Sequence, residues 1–346
     1  MTKTSNIPTW FRIIFSGILS ILFLSLHSQD VHFSQSVVSI QQRNFSISNN
    51  YQGDYQIYSA YREQWGSIGV PFKSSILGFN TSVYSFDNGI TFFSGIQYFN
   101  DESGDGKLTI NQFNVNLAAS YQLEENTFLF GINNGIHLKQ FNSKQLTFPE
   151  QYDRNTGGFN EQLASGENLN NQDLSFWSLG INMGWKRTIN DKLKILSGIS
   201  IDNLNKPNES FFNETNKLAM GVGIQGLAEY YLKKRMDLMP YLNYYKLGAA
   251  SETVLGSGIR FKTTKESNVQ YIQPFVYARA GFGRNIDALI IGTHLGIGNF
   301  DLGASYDFNI SDLELASNYQ GAFELSLIFV PKHQSIKKRA IPCERF

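Results

Sequence analysis

Few side chains in this sequence stand at spacings that support chemistry. Asp101, Ser103, Asp105 and Gly106, followed by Leu108, resemble the first half of a calcium-binding loop, in which carboxylates at alternate positions surround a hard cation. Position twelve of that loop falls on Gln112, which cannot supply the bidentate carboxylate such loops need. A glycine-rich turn between strands accounts for the same residues without a metal, and weak calcium binding is the alternative. Four histidines follow residue 28, namely His32, His137, His294 and His333. None stands in HExxH and no GxSxG elbow occurs, so the motifs of zinc and serine hydrolases are missing. Cys343 is the single cysteine, which excludes an intramolecular disulfide and a cysteine-based zinc or iron–sulfur centre. The expectation is a chain that is not an enzyme, with no catalytic residue, cofactor or metal site.

Composition narrows the classes further. The 346 residues carry 29 Lys+Arg against 29 Asp+Glu, so no net positive charge recruits a nucleic acid backbone, and none is expected as a partner. Charged residues make up 17%, below the roughly 25% usual for soluble domains. Aromatics reach 14%, with 28 Phe and 17 Tyr, beside 30 Gly. Mean hydropathy is -0.24, too polar for a bundle of membrane helices. That mixture fits neither a helical membrane protein nor an ordinary soluble enzyme.

The elements that must position these residues alternate. Phe113, Val115, Leu117, Ala119 and Tyr121 share one face of their run, opposite Gln112, Asn114, Asn116, Ala118 and Ser120. Phe128, Phe130, Ile132, Ile136 and Leu138 repeat the pattern, as do Trp177, Leu179, Ile181, Met183 and Trp185, and then Leu193, Ile195, Ile199 and Ile201. Period 2 is the signature of strands. Runs of about 10–15 residues exceed the 5–6 of soluble strands and suit a tilted crossing of a bilayer. Fourteen strands are expected, starting near 54, 74, 88, 108, 127, 173, 191, 217, 235, 251, 269, 287, 299 and 322; Pro274 weakens the strand that contains it. An even number is what single-chain outer-membrane barrels contain.

The connections sort by length. Phe86 to Gly89, Glu124 to Asn126, Thr188 to Asp191, Lys233 to Arg235, Thr263 to Asn268 and Gly298 to Phe300 are tight. Trp65 to Lys73, Asn100 to Lys107, Phe141 to Gln172, Asn203 to Asn216 and Ile310 to Gly321 are long. Short turns at one rim and long loops at the other mark an antiparallel transmembrane β-barrel of the outer membrane. Both chain ends then lie at the short-turn, periplasmic rim.

Outside the barrel (54–330), residues 1–28 read as a signal peptide. Lys3 and Arg12 precede an apolar run from Ile13 to Leu26, about 21 Å long as a helix and too short to span the hydrocarbon core. Residues 29–53 form a periplasmic N-terminal segment and a candidate plug. The tail 331–346 is basic, with Lys337, Lys338 and Arg339 as candidate periplasmic docking residues for an acidic partner or lipid head groups; a solvated extension is the alternative. His137 and His294 fall on the inward, polar phase of their strands, with Lys139, Lys192, Asp202, Glu229, Arg260 and Arg279. These charges line a pore or pair across the lumen, and pairing is favoured because a lone buried charge is costly. Trp177 and Trp185 suit an interfacial girdle.

Several blocks carry a family resemblance: QDVHFSQ (29–35), GDYQIYSAYREQWGSIGVPFKS (53–74), NDESGDGKL (100–108), PNESFF (207–212), SYDFNISDLELASN (305–318), and the tail closing in Cys343 and Phe346. Together they resemble the PorP/SprF family of type IX secretion system outer-membrane proteins over almost the whole chain beyond the signal. The chain departs at Val31, where the family usually has Pro, and at SVVSIQQRNFSIS (36–48), which replaces an Asn-Pro-Ala segment. The resemblance implies a non-enzymatic accessory component of the secretion and gliding apparatus. Its implied partners are a secreted surface adhesin carrying a type IX C-terminal signal, other type IX secretion and gliding components, and outer-membrane lipid. Trp65, inside a matching block, is a candidate cargo contact with Asp101 and Asp105; loop packing is the alternative for Trp65. A porin-like diffusion channel is the competing function, and an outer-membrane enzyme built on the inward histidines is a third.

Overall fold

A hydrogen-bonded cylinder is the arrangement that lets alternating chains cross lipid with every backbone amide paired, and the chain adopts it. The structure is a computed structural model describing residues 32–66, 69–143, 146–160, 162–167, 172–212, 214–264, 267–281, 286–310 and 320–331. The signal at 1–28 and the docking residues Lys337, Lys338 and Arg339 lie outside the described residues, as do His333 and Cys343.

Among the described residues, sixteen strands follow two short α-helices. The helices are α1 (Ser36–Arg43) and α2 (Phe45–Ser48). The strands are β1 (Tyr55–Gln64), β2 (Phe72–Ser85), β3 (Ile90–Ser103), β4 (Leu108–Leu123), β5 (Asn126–Gln140), β6 (Tyr152–Asp153), β7 (Gly158–Phe159), β8 (Asp173–Asn190) and β9 (Leu193–Asp202). They continue with β10 (Gly221–Lys233), β11 (Met236–Leu247), β12 (Ala250–Lys262), β13 (Val269–Ala280), β14 (Ile286–Ile297), β15 (Phe300–Asn309) and β16 (Gln320–Phe329). Fourteen of them close an antiparallel barrel in sequence order, and β1 seals against β16 from Ile57↔Phe329 to Gln64↔Ala322. The remaining two, β6 and β7, pair only with each other inside the loop after β5.

Burial alternates as the side chains do. Phe113, Val115, Leu117, Phe130, Ile132, Ile136 and Met183 are exposed on the outer face, while Asn116, Ala118, Leu129 and Asn182 are buried inside. Trp177 and Trp185 stand eight positions apart on the outer face of β8, about 27 Å along the strand. Trp185 donates through Nε1 to Asn126 Oδ1 at 3.1 Å, and Trp177 donates to Asn134. Pro274 does belong to a strand. It pairs in register with Thr293 of β14, while the ladder to β12 skips from Gly258↔Phe275 to Phe261↔Ile272, where proline has no N–H to give.

Two expectations about the loops change. Asn100 to Lys107 is not a long loop, because β3 and β4 stay paired to Ser103↔Leu108 and leave a turn of four residues. Gly248 and Ala249 also make a tight turn at the long-loop rim. The contrast between rims rests on the connections after β1, β5, β9 and β15.

The interior is filled. Residues 32–50 lie in the lumen rather than in periplasmic water, with Phe33, Val38, Ile40, Phe45 and Ile47 all buried. Phe33 and Val38 pack with Tyr58, Ala60, Ile76, Phe99 and Ile328. Ile40 and Ile47 pack with Leu196, Tyr241, Val254, Phe275, Tyr277 and Ile290 on the opposite wall. β1 begins and β16 ends at the short-turn rim, as expected for the barrel ends. The chain before β1, however, runs the length of the lumen. His32 meets Glu252 near the long-loop end of β12 at 2.9 Å, while Gly53 lies against Val330 and Pro331 at the short-turn rim.

Candidate functional site

The densest constellation of the molecule holds this inner segment in place. Alternation along β1 aims Tyr58, Ala60 and Arg62 inward; the same phase aims Asp307 from β15, Glu324 from β16 and Arg279 from β13. All four charged side chains lie in the long-loop half of the lumen, and none exceeds 8% exposure. Arg62 reaches Asp307 at 2.8 Å and Glu324 at 3.2 Å, and Arg279 reaches Asp307 at 2.8 Å. Two cations face two carboxylates, so the cluster is neutral.

Ser34 and Gln35 complete it. The Ser34 and Gln35 backbone amides donate to the two Glu324 carboxylate oxygens at 2.7 and 3.0 Å. The Ser34 hydroxyl donates to Asp307 at 2.8 Å and accepts from Arg62 at 2.7 Å and Arg279 at 3.1 Å. Gln35 donates through Nε2 to the Glu324 carbonyl at 3.2 Å and accepts from the Ser326 hydroxyl at 2.6 Å. Desolvated charges are tolerable only when hydrogen bonds fill their remaining valences, and here the inner segment supplies several of them. We call this cluster the latch.

Beyond the latch the segment is held by amides and shape. Gln41 donates to Gln56 at 2.7 Å and accepts from Asn80 at 3.0 Å, and the Gln41 carbonyl accepts from Gln97 at 2.9 Å. Asn44 caps α2 by accepting from the Ile47 amide at 3.2 Å, and the Ser46 amide donates to Asn182 at 2.7 Å. Gly95, Gly184 and Gly198 let the segment approach closely. A Cβ on them would collide with Phe45, Ile47, and Asn44 together with Ile47, respectively.

The residues singled out from sequence are placed as follows. Asp101 points inward, is 3% exposed and accepts from the Ser74 hydroxyl at 2.7 Å; its burial takes it out of direct reach of a surface partner. Asp105 is exposed in the four-residue turn. Trp65 is half-buried at the start of the β1–β2 connection with φ +61, its ring 5.0 Å from Phe72, and its amide donates to the Gly321 carbonyl at 3.0 Å. These three stand on one arc of the long-loop rim without forming a cluster. His137 shares a 2.7 Å hydrogen bond with the Ser178 hydroxyl and stacks on Phe176; His294 meets Asp301 at 3.0 Å. Of the inward charges, Lys139 pairs with Glu209, Glu229 with Lys262 at 3.6 Å, and Arg279 with Asp307. Asp202 accepts from the Tyr245 hydroxyl at 3.2 Å and Arg260 donates to Gln273 at 2.9 Å. Lys192 lies outside the lumen, exposed in the β8–β9 turn.

Sequence reasoning missed Arg62, Asp307, Glu324 and Ser34. A signal existed: Glu324 stands alone between Phe323 and Leu325 in an otherwise uncharged strand, on the phase that faces inward.

Comparisons with known proteins agree with the architecture. A TodX deltaS2S3 mutant monoaromatic hydrocarbon channel has a TM-score of 0.50 and 8% identity, covering 88% of this chain and 96% of that one. The CymD monoaromatic hydrocarbon channel gives 0.49 and 9%, with 88% and 95% covered. A mutant Rh. blastica porin gives 0.33 and 11%, with 80% and 98% covered. At 8% identity the likeness to the TodX mutant channel is one of fold alone. No curated protein matches the sequence. The family of type IX secretion system membrane proteins PorP/SprF matches residues 25–329, nearly all of the barrel and the latched segment. This chain belongs to the PorP/SprF family.

Proposed function

We propose that the chain is a non-catalytic outer-membrane component that helps secrete a partner adhesin and hold it at the cell surface. The observation that carries this over a diffusion channel is the occupied lumen. Residues 33–49 bridge opposite walls and are fixed by the latch, so the barrel is built as a sealed platform. In this reading residues 1–28 are a cleaved signal peptide, the short-turn rim faces the periplasm and the long-loop rim faces outward. Trp65 and Asp105 contact cargo, and Asp101 supports the rim from below through Ser74. Lys337, Lys338 and Arg339 dock to periplasmic secretion and gliding components.

Deleting the protein and following surface display of each type IX substrate tests the proposal. Loss of one adhesin from the surface is expected, and unchanged display of every substrate would refute it. Planar-bilayer recording separates the porin reading, since a sealed platform conducts little and a porin conducts steadily. Trp65→Ala with Asp105→Ala should weaken cargo retention while the barrel still assembles.

A further inference from the structure

The short-turn rim is electrically divided. Lys192, Lys233, Lys234 and Arg235 are all exposed on two neighbouring hairpins, β8–β9 and β10–β11, with Asp191 the one exposed carboxylate in those turns, whereas Lys194 stands on the inward phase of β9 in register with Glu229. The hairpins are joined where the Tyr231 amide donates to the Lys192 carbonyl at 2.7 Å, so the four cations form one patch. None of the four has an acidic partner within 4.0 Å among the described residues. Lys262, on the next hairpin, is neutralised by Asp237 and Glu229. Asp54 and Asp87 are exposed farther round the rim, while Glu124 and Glu125 are exposed on the β4–β5 turn, which adjoins β8 where the Thr188 amide donates to the Glu125 carbonyl at 3.4 Å.

The surroundings of the patch identify its partner. Its two turns are two residues long, so the cations sit within a side chain's length of the hydrocarbon edge. Tyr230 and Leu232 are exposed just before Lys233, and Ile189 stands exposed just before the other turn. Aromatic and apolar side chains followed by lysines whose heads extend into water are the chemistry of a bilayer interface. We propose that this patch binds the phosphate head groups of anionic phospholipids in the adjoining leaflet. The lipid shell is then lopsided and fixes which side of the barrel faces anionic lipid. The inference needs only that the barrel spans a membrane, and stands or falls separately from adhesin retention.

The test reconstitutes the full chain in vesicles of equal parts phosphatidylcholine and phosphatidylglycerol, extracts it in mild detergent and measures the lipid it carries. Wild-type protein should retain phosphatidylglycerol over phosphatidylcholine, less so as salt rises. Lys233→Gln with Lys234→Gln should lower that preference about fivefold or more, the effect of one interfacial cation being worth about that factor. Lys192→Gln should act in the same direction by a smaller factor and carries the test if the first pair fails to assemble. Asp87→Asn with Glu125→Gln should not lower it. Equal retention of both lipids by wild type, or an undiminished preference in both lysine variants, would overturn the proposal. So would variants that keep the lipid preference but lose an acidic protein co-purifying from outer membranes, which would assign the patch to a protein.

Discussion

The two ends of the lumenal segment are held by different physics. At Ser34 and Gln35 a few charge-assisted hydrogen bonds fix position and direction, joining β1, β13, β15 and β16 through one buried cluster. At Gln41 to Ile47 the wall offers amide groups, apolar side chains and glycines, so shape and volume do the holding. Interactions of the first kind are costly to break singly, because each loss strands a desolvated charge. The second kind spreads its contribution over many small contacts. Removing one part should therefore have unequal effects at the two ends.

The largest effect is expected from Arg62→Met. It leaves Glu324 buried without its cation and should cost about 3–5 kcal/mol, read as a lower unfolding temperature on heat-modifiable gel mobility and as new conductance. Arg62→Met combined with Glu324→Leu should recover most of that loss, since Arg279 and Asp307 remain as a neutral pair; failure to recover would mean that the latch acts through geometry rather than charge. Gly184→Leu comes next. Its side chain displaces Ile47, so conductance should appear with a smaller loss of barrel stability, and a sealed variant would show that the wall can yield. Ser34→Ala removes one hydroxyl shared by three charged partners and should cost about 1–3 kcal/mol with the segment still in place. The smallest effect belongs to Gln225→Leu. Gln225 is buried on β10 with neither side-chain polar atom bonded among the described residues, so this change should be neutral or stabilising, and a clear loss would reveal ordered water bound there.

Much of the cylinder was legible because lipid enforces it. Each strand at the barrel wall must show apolar atoms outward at every second position, so the starts expected near 54, 108, 173 and 269 meet strands at Tyr55, Leu108, Asp173 and Val269. Legibility fell where water replaced lipid. Asp101 to Ser103 reads as loop by composition, yet the β3–β4 ladder continues past the membrane because pairing costs nothing there. α1 left no signal: eight residues with no side-chain cap at Gln35 are too few to hold a helix alone, and the lumen supplies the packing. The latch was hidden because its partners are far apart in sequence, Ser34 and Glu324 by 290 residues and Arg62 and Glu324 by 262.

That separation sets an order of assembly. Glu324 belongs to the last strand, which seals against the first, so Arg62 and Ser34 lack this carboxylate until the final hairpin arrives. Closing the ring and fastening its contents are one event, governed by the slow search that distant contacts impose. A chain released before residue 320 would carry both cations of its lock with only one of the two acids, an unfinished state distinct from the mature one.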